Sequence, residues 1–355
     1  MKSNSQKIKV IDLFCGIGGL THGLIKEGLN VIAGIDNDTS CKYGYEYNNE
    51  NAKFINKDIL QVSADEINKL FGDKEDTIRV LAGCAPCQPF SKLNLNEITE
   101  KQLEPLGKFA QLIIETEPDV VSMENVSGLA DMTKNPIFKT FIDALEKGGY
   151  NYKYEIVNVS EYGVPQNRKR LVLLASKLGE IELAKKTHKN KKITVRDVIK
   201  NLSPLKDGET SQDDPLHRTR KLSPKNLQRI KATPHDGGNS RSWSEDLILK
   251  CHKKKSGKTY RGSVYGRMRW DEPAPTMTTQ CVGLGNGRFG HPEQDRAISL
   301  REAALFQTFP KNYQFAEPSN PIVVSHIAKF IGNAVPVRLG AIIGRSIKTH
   351  VEKYG

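Results

Sequence analysis

The 355-residue sequence predicts an α/β fold with a parallel sheet, joined to a second, smaller and irregular domain. Short apolar runs alternate with stretches of helical periodicity over the first half of the chain, which is typical of strand–helix–strand units. Near residue 177 this alternation fades into a segment rich in Lys, Ser, Pro, Gly and Asn. The sequence therefore separates a regular body from an irregular insert.

The elements follow in order from these patterns. The first run, IKVIDLF at 8–14, ends in glycines, and the next segment, GLTHGLIKEG, has apolar residues at helical spacing. Residues 298–310 and 323–351 return to helical periodicity after the irregular insert. Four further runs read as strands: NVIAGID at 30–36, RVLAGC at 79–84, DVVSMEN at 119–125 and RLVLLAS at 170–176. We expect residues 1–176 and 323–355 to form one discontinuous domain and residues 177–322 to form the other.

Composition narrows the class of protein. The chain is 37% hydrophobic and 26% charged, and the apolar runs are too short for a membrane span of about 20 residues. MKSNSQKIKV at the start lacks the apolar core of a secretory signal, so we expect a cytoplasmic protein with no membrane partner. Six scattered cysteines do not suggest a disulfide framework.

The positive charge is concentrated in one part of the chain. The formal net charge is +12, and residues 181–270 contain 23 Lys and Arg against 9 Asp and Glu. Such a basic block beside a nearly neutral remainder is what a module that grips nucleic acid would look like. A lysine-rich linker or surface would have the same composition.

The turn that follows the first strand is a candidate cofactor site. Phe14-Cys15-Gly16-Ile17-Gly18-Gly19 precedes a helix, and small residues there let a ligand approach the backbone. The third glycine of a dinucleotide fingerprint would fall at Thr21, but an acid, Asp36, lies 20 positions beyond Gly16. This favours a nucleoside cofactor without phosphates, such as S-adenosylmethionine, although an ordinary α/β turn has the same pattern.

The run GCAPCQPFS at 83–91 follows a predicted strand and contains two prolines, so it forms a loop at a strand end. Its Cys84-Ala-Pro-Cys87 pattern alone would also suit a thiol–disulfide oxidoreductase or half of a zinc site. No second Cys-x-x-Cys pair supports zinc, and we expect no metal. A redox dithiol would not require the basic block or the motifs that occur elsewhere in the chain.

Taken together, the motifs resemble those of the DNA cytosine-C5 methyltransferase family. They occur in the family's order and span nearly the whole chain, and the compact length is similar to that of the prokaryotic, restriction-modification type. The matching segments are DLFCGIGGL at 12–20, GIDND at 34–38, KDI around Asp58, GCAPCQPFS at 83–91, MENV at 123–126, QNRKR at 166–170, REAALFQTFP at 301–310 and GNAVPV at 332–337.

The resemblance implies a role for each motif in the chemistry. Cys87 would attack cytosine C6, and Glu124 would donate a proton to N3. Arg168 and Arg170, which we expect to share one face of a strand with Gln166, would contact the cytosine, a phosphate or the catalytic loop. Cys84 is expected to be a buried neighbour whose replacement by Ala leaves most methylation intact.

The resemblance also implies a Rossmann-like S-adenosylmethionine-dependent methyltransferase sheet, with residues 177–322 as a target-recognition domain. The cofactor would become S-adenosylhomocysteine, and the partner would be double-stranded DNA from which the target base is flipped. Residues 88–104 would close over it, and 274–292, with Gln280 and Arg288, would read bases or clamp phosphates. The cofactor contacts would be Phe14, Gly16, Gly18, Asp36, Asp58, Asn333 and Ala334.

Three alternatives stay open at this level. One branch of the same family methylates transfer RNA, but its Cys-Phe-Thr motif is absent from this sequence. A catalytically inactive regulatory homologue would usually lack the nucleophile or the cofactor loop, and both are present. A redox dithiol protein is the third. A monomer with a possible partner restriction endonuclease is the expected context.

Overall fold

The structure is a computed structural model that describes residues 8–75, 77–86, 100–254 and 262–355. Its contacts divide the chain into two compact units. The first contains Met1–Tyr162, Lys169–Lys186 and Ala334–Gly355, and the second contains Gly163–Arg168 and Thr187–Asn333.

A seven-stranded sheet forms the centre of the first unit, in the order β3-β2-β1-β4-β5-β7-β6. Strands β1 to β5 are parallel, whereas β7 runs antiparallel to both of its neighbours. The strands are β1 (Ile8–Leu13), β2 (Asn30–Asp36), β3 (Lys53–Asn56), β4 (Ile78–Gly83), β5 (Val120–Val126), β6 (Asn151–Asn158) and β7 (Lys169–Ser176).

The sheet corrects the sequence prediction in two respects. The run at 170–176 is a strand, but it is antiparallel because only a short connection without a crossover helix links it to β6. Strands β3 and β6 were not predicted. β3 has four residues, and β6 is an edge strand with exposed positions on both faces, so neither shows a continuous apolar run.

Helices cover both faces of this sheet. Ile11, Leu81 and Val121 belong to an apolar cluster with Phe109 and Phe141, which places α4 and α5 on one face. The helices of the first unit are α1 (Gly19–Lys26), α2 (Lys42–Asn48), α3 (Ala64–Phe71), α4 (Glu100–Thr116), α5 (Pro136–Lys147) and, after the second unit, α11 (Val337–Tyr354). Several have clear start signals, such as the Ser63–Glu66 capping box of α3 and the proline that begins α5.

Close packing of α1 on α11 depends on glycine. A Cβ at Gly23 would overlap the carbonyl oxygen of Val337 and would lie 2.5 Å from the backbone nitrogen of Ala341. The hydroxyl of Thr21, on α1, hydrogen-bonds the carboxylate of Asp12 in β1. Helix α1 is therefore fixed between α11 and the sheet.

The second unit is built from short helices and loops. Its helices are α6 (Val195–Ile199), α7 (Pro224–Lys231), α8 (Lys250–Lys253), α9 (Leu300–Phe306) and α10 (Val324–Asn333). Strand pairing among its described residues is limited to isolated bridges such as Arg267 with Gly290. With so little regular backbone pairing, buried side chains must satisfy many of its polar groups.

In the second unit, two buried arginines form many of the hydrogen bonds that satisfy buried polar groups. Arg267 is fully buried and donates to the carbonyl oxygens of Thr233, Ile230, His291 and Gln294. Arg296 forms a bidentate pair with Glu302, at 2.7 and 2.8 Å. Arg296 holds the pKa of Glu302 near 2 against the effect of burial. The REAALF segment therefore begins α9 with a buried ion pair.

The bounds of the two units depart from the expected domain bounds. Residues 163–168 join the second unit, where the backbone of Asn167 donates to the carbonyl oxygen of Ala274. Residues 177–186 stay with the first unit, where the amide of Ala184 donates to the Ser346 hydroxyl. Helix α10 belongs to the second unit.

The segment Val324–Tyr354 is long and apolar enough to cross a membrane by composition, but 72% of its most apolar stretch is buried inside the structure. Pro336 separates it into α10 and α11. Burial of this kind is what core helices show.

Candidate active site

The predicted site residues of the first unit lie at one edge of the sheet. Strands β2, β1, β4 and β5 are adjacent and parallel, so their carboxyl ends meet at the same edge. Phe14, Asp36 and Cys84 follow or end β1, β2 and β4, and Glu124 lies two residues before the end of β5. This is where open α/β sheets bind their ligands.

The glycine loop, residues 14–19, has a backbone that few other sequences could adopt. Phe14, Gly16 and Gly18 all have positive φ, at 60°, 49° and 89°. A Cβ at Gly16 would meet no atom within 4 Å, whereas one at Gly19 would overlap the carbonyl oxygen of Val335. The loop therefore leaves space at Gly16 and packs tightly against the Ala334-Val335 segment at Gly19.

Asp36 is fixed beside this loop by backbone donors. Its Oδ2 accepts from the amide of Gly16 at 2.9 Å, and its Oδ1 accepts from the amide of Asp38 at 2.9 Å. Asp58 follows the neighbouring strand β3 and accepts from the amide of Leu60 at 3.0 Å. Two carboxylates thus stand at the ends of adjacent strands, with an open space at Gly16 nearby.

These residues fit a nucleoside cofactor. The open space at Gly16 admits a ligand against the backbone, and anchored carboxylates are suited to accept hydrogen bonds from ribose hydroxyls and an amino group. Ala334 is half-buried and packs at Gly19. Asn333 is the exposed last residue of α10 in the second unit.

Glu124 is a buried acid at this edge, with 2% of its surface exposed. The Arg170 Nε lies 2.9 Å from its Oε1 in an ion pair, although the two groups are not aligned as a hydrogen bond. The Cys84 thiol donates to its Oε2, with Sγ 2.8 Å away. Charge and hydrogen bonding therefore fix the carboxylate on both oxygens.

The next residue, Asn125, holds the loop that leads to Cys87. Its side-chain amide donates to the carbonyl oxygen of Ala85 at 3.2 Å and its Oδ1 accepts from the amide of Val126. Asn125 is fully buried. The Glu-Asn-Val segment thus supplies both an acid and a support for the Cys-Ala-Pro turn.

Cys87 itself, and residues 88–99 of the expected closing segment, lie outside the described residues. Residues 100–104 begin α4. The role of Cys87 as the nucleophile therefore stays a prediction.

The expectation that Gln166, Arg168 and Arg170 share one strand face is wrong. Strand β7 begins only at Lys169, because the preceding residues bond to the 274–277 segment instead. Arg168 is buried and donates to the carbonyl oxygens of Met277 and Gly332. Gln166 bonds Met277 and Gln307. Arg170 forms the ion pair with Glu124.

Asp12 is a buried acid that the sequence did not reveal. Its Oδ2 accepts from the Thr21 hydroxyl at 2.6 Å, while its Oδ1 accepts no hydrogen bond among the described residues. Burial raises the pKa of Asp12 to about 7. The sequence did hold a signal for this site, because Asp12 interrupts the apolar run IKVIDLF and polar residues are rare in buried strands.

The described cysteines differ in their surroundings. Cys15, Cys41 and Cys281 are buried, and burial raises the pKa of Cys15 and moves that of Cys281 to about 12, which makes both unreactive. Cys84 is half-buried, and Cys251 is exposed. Within the described part of the chain, no group of three or more His, Cys, Asp or Glu could hold a metal ion.

Comparison with known proteins agrees with this geometry. A sequence profile of the C-5 cytosine-specific DNA methylase family matches residues 8–349. The Type II methylase M.HgiDII of Herpetosiphon aurantiacus is 51% identical over 344 residues, which cover 97% of this chain and 96% of that protein. The Type II methyltransferase M.Eco47II of Escherichia coli is 30% identical over 364 residues, covering 99% and 81%.

Solved structures support the fold. A prophage-encoded DNA modification methyltransferase of E. coli superposes with a TM-score of 0.72 at 20% identity, over 97% of this chain and 99% of that one. The Dnmt2 methyltransferase of S. pombe superposes with a TM-score of 0.57 at 17% identity, over 97% and 98%. The sheet is thus the Rossmann-like methyltransferase sheet that the sequence predicted. The chain belongs to the C-5 cytosine-specific DNA methylase family.

Proposed function

We propose that Cys87 and Glu124 carry out the reaction of this DNA cytosine-5 methyltransferase, with Arg170 positioning the acid. The observation that carries the proposal is the buried Glu124 carboxylate, held by Arg170 and Cys84 at the end of β5. Strand β4 lies beside β5, and the chain after β4 leads within four residues to Cys87. Glu124 and Cys84, three residues before the proposed nucleophile, thus lie side by side at one edge of the sheet.

The chemistry follows from the electronic structure of cytosine. C5 is a poor nucleophile until a thiolate adds to C6, and this addition moves electrons toward N3. Glu124 donates its proton to N3, so that no full negative charge develops on the ring. The C6–S bond and the N3–H bond form together, and C5 becomes the nucleophilic carbon of an enamine.

S-adenosylmethionine, held by the glycine loop and Asp36, would supply the electrophilic methyl group and leave as S-adenosylhomocysteine. N3 then returns its proton to Glu124, the C5 proton passes to a base, the C6–S bond breaks, and the thiolate and the aromatic ring are restored. We assign no side chain to the removal of the C5 proton, and water can accept it. Since neither C5 nor C6 can be reached inside a stacked duplex, the cytosine is flipped out first.

The cofactor contacts in this proposal are the residues of the glycine loop and its neighbours. Asp36 would accept from the ribose hydroxyls and Asp58 from the adenine amino group, while Phe14, Gly16 and Gly18 would line the ligand. Ala334 would contact the methionine carboxylate; Asn333, its predicted companion, belongs to the second unit. The support is the open space at Gly16 and the fixed Asp36 carboxylate.

The second unit is proposed to be the target-recognition part, which binds double-stranded DNA. Its sequence contains most of the basic block at 181–270, and cations there would neutralise phosphates. Gln280 is exposed and could read a base edge. Arg288 is half-buried and donates to the carbonyl oxygens of Gly237 and Arg267, so a structural role competes with DNA contact there.

The cellular setting is part of the proposal. Relatives named Type II methyltransferases belong to restriction-modification systems, in which the methylase protects DNA from a partner endonuclease. We infer the same pairing here, in the cytoplasm of a prokaryotic or phage-infected cell, with the methylase acting as a monomer.

The test is bisulfite sequencing of DNA from cells that express the protein. We expect complete cytosine methylation within one short sequence, and none in cells that express Cys87→Ala at the same level. Unmethylated DNA with the wild-type protein, or methylation that persists in the variant, would refute the proposal. The experiment also reveals the recognition sequence.

A further inference from the structure

The thiol of Cys84 lies against the proposed catalytic acid. We propose that Cys84 is a positioning residue for methyl transfer, whose hydrogen bond to Glu124 sets the pH range over which this carboxyl group holds the proton that N3 receives. The inference rests on the proposed function, in which Glu124 is the acid. It goes beyond the prediction that Cys84 is a buried neighbour whose replacement by Ala leaves most methylation intact.

The contact is built by the sheet. Gly83 of β4 pairs with Met123 of β5, so the residues that follow, Cys84 and Glu124, are side by side. The amide of Cys84 donates to the carbonyl oxygen of Leu13 at 3.3 Å, which ties its backbone to the end of β1. The thiol therefore reaches Glu124 Oε2 at 2.8 Å from a backbone that is held on both sides.

Glu124 has a different partner on each oxygen. Arg170, 11% exposed, faces Oε1 as a full positive charge, and the thiol faces Oε2 as a neutral donor. Both partners favour the ionised carboxylate, because each interacts better with the charged form. Arg170 is the stronger of the two, and a second strong donor would make the proton harder to keep.

A thiol is well suited to the second position. Its S–H group is a weak hydrogen-bond donor and its sulfur a weak acceptor, so it stabilises the carboxylate less than a hydroxyl would. It therefore fixes the orientation of Oε2 while competing only weakly with the proton that a general acid must carry. Ala at this position would remove the donor, and Ser would strengthen it.

The experiment measures single-turnover methyl transfer to duplex DNA, with tritiated S-adenosylmethionine, from about pH 5.5 to pH 9. The proposal predicts a rate that falls on the alkaline side, where a general acid is deprotonated. In Cys84→Ala we expect the midpoint of this fall to move up by about half to one pH unit, and in Cys84→Ser to move down by a similar amount. The exposed Cys251, changed to Ala, is the matched control, and its midpoint should equal that of the wild type.

Opposite shifts in the two variants distinguish positioning from packing. If Cys84 acted through packing alone, both variants could change the rate, but the pH midpoint of each would equal that of the wild type. Unshifted midpoints in both variants would therefore overturn the inference, whether or not the rates change. Thermal unfolding checks that each variant is folded, and if Cys84→Ala does not fold, the downward shift in Cys84→Ser remains the deciding measurement. Loss of activity in Glu124→Gln without any shift in the Cys84 variants would refute the inference alone. An unchanged rate in Glu124→Gln would refute the proposed function itself.

Discussion

Glu124 and Asp12 are two buried acids at the same edge of the sheet, and their carboxylates have different partners. Glu124 is 2% exposed but faces a guanidinium and a thiol. Asp12 is 1% exposed, and its carboxylate accepts from the Thr21 hydroxyl. Burial, with a smaller contribution from Asp36, raises the pKa of Asp12 to about 7. One residue can therefore serve chemistry, whereas the other makes folding depend on pH.

The raised pKa of Asp12 predicts a pH-dependent stability difference. Between about pH 4 and pH 7 the folded state keeps a proton that the unfolded state has lost, so the contribution of Asp12 to stability falls as the pH rises through this window. Above pH 7 the loss is complete and amounts to at most about 4 kcal/mol. Asn at this position cannot ionise. The free energy of unfolding of Asp12→Asn should therefore rise relative to that of the wild type as the pH increases from 5 to 8. Urea unfolding at both pH values measures this gain, and an equal difference between the two proteins at both would contradict the prediction.

At the scale of elements, apolar runs predicted the strands that are buried on both faces. They missed the short strand β3 and the edge strand β6. Strands β1, β2, β4 and β5 are buried on both faces, so each is a continuous apolar segment. Strand β6 is half polar because it lies at the sheet edge, and β3 is only four residues long. The direction of β7 depends on the length of its connection to β6, which periodicity does not report.

The contact between α1 and α11 gives a prediction at this scale. A methyl group at Gly23 would overlap the backbone of α11, so Gly23→Ala should cost about 1–3 kcal/mol despite the better helix propensity of alanine. Gly107 on α4 is the matched control, because the nearest atom to its Cβ position would be 3.7 Å away. Gly107→Ala should be neutral or stabilise the protein by up to about 1 kcal/mol. Equal free energies of unfolding for the two variants would show that α1 and α11 do not pack as described.

At the scale of the whole molecule, the sequence predicted the catalytic body better than the contacts within its site. Motif order identified the family, and strand ends located Asp36 and Glu124 at one edge. The contact between Cys84 and Glu124 depends on the register of β4 with β5, and the diversion of Arg168 depends on partners more than 100 residues away, Met277 and Gly332. Neither can be inferred from local pattern. For the second unit, the sequence predicted irregular structure but no topology. Buried arginines organise this unit, and they leave no periodic apolar pattern in the sequence.

The central claim is that Cys87 forms a covalent bond to cytosine C6, and trapping on DNA tests it most directly. A duplex with 5-fluorocytosine at the target position blocks the loss of the C5 substituent, so the adduct should persist through denaturing electrophoresis. We predict a one-to-one complex with S-adenosylmethionine present, attached through the peptide that contains Cys87, formed by Cys84→Ala and absent in Cys87→Ser. An adduct on another residue, or one that Cys87→Ser still forms, would contradict the account.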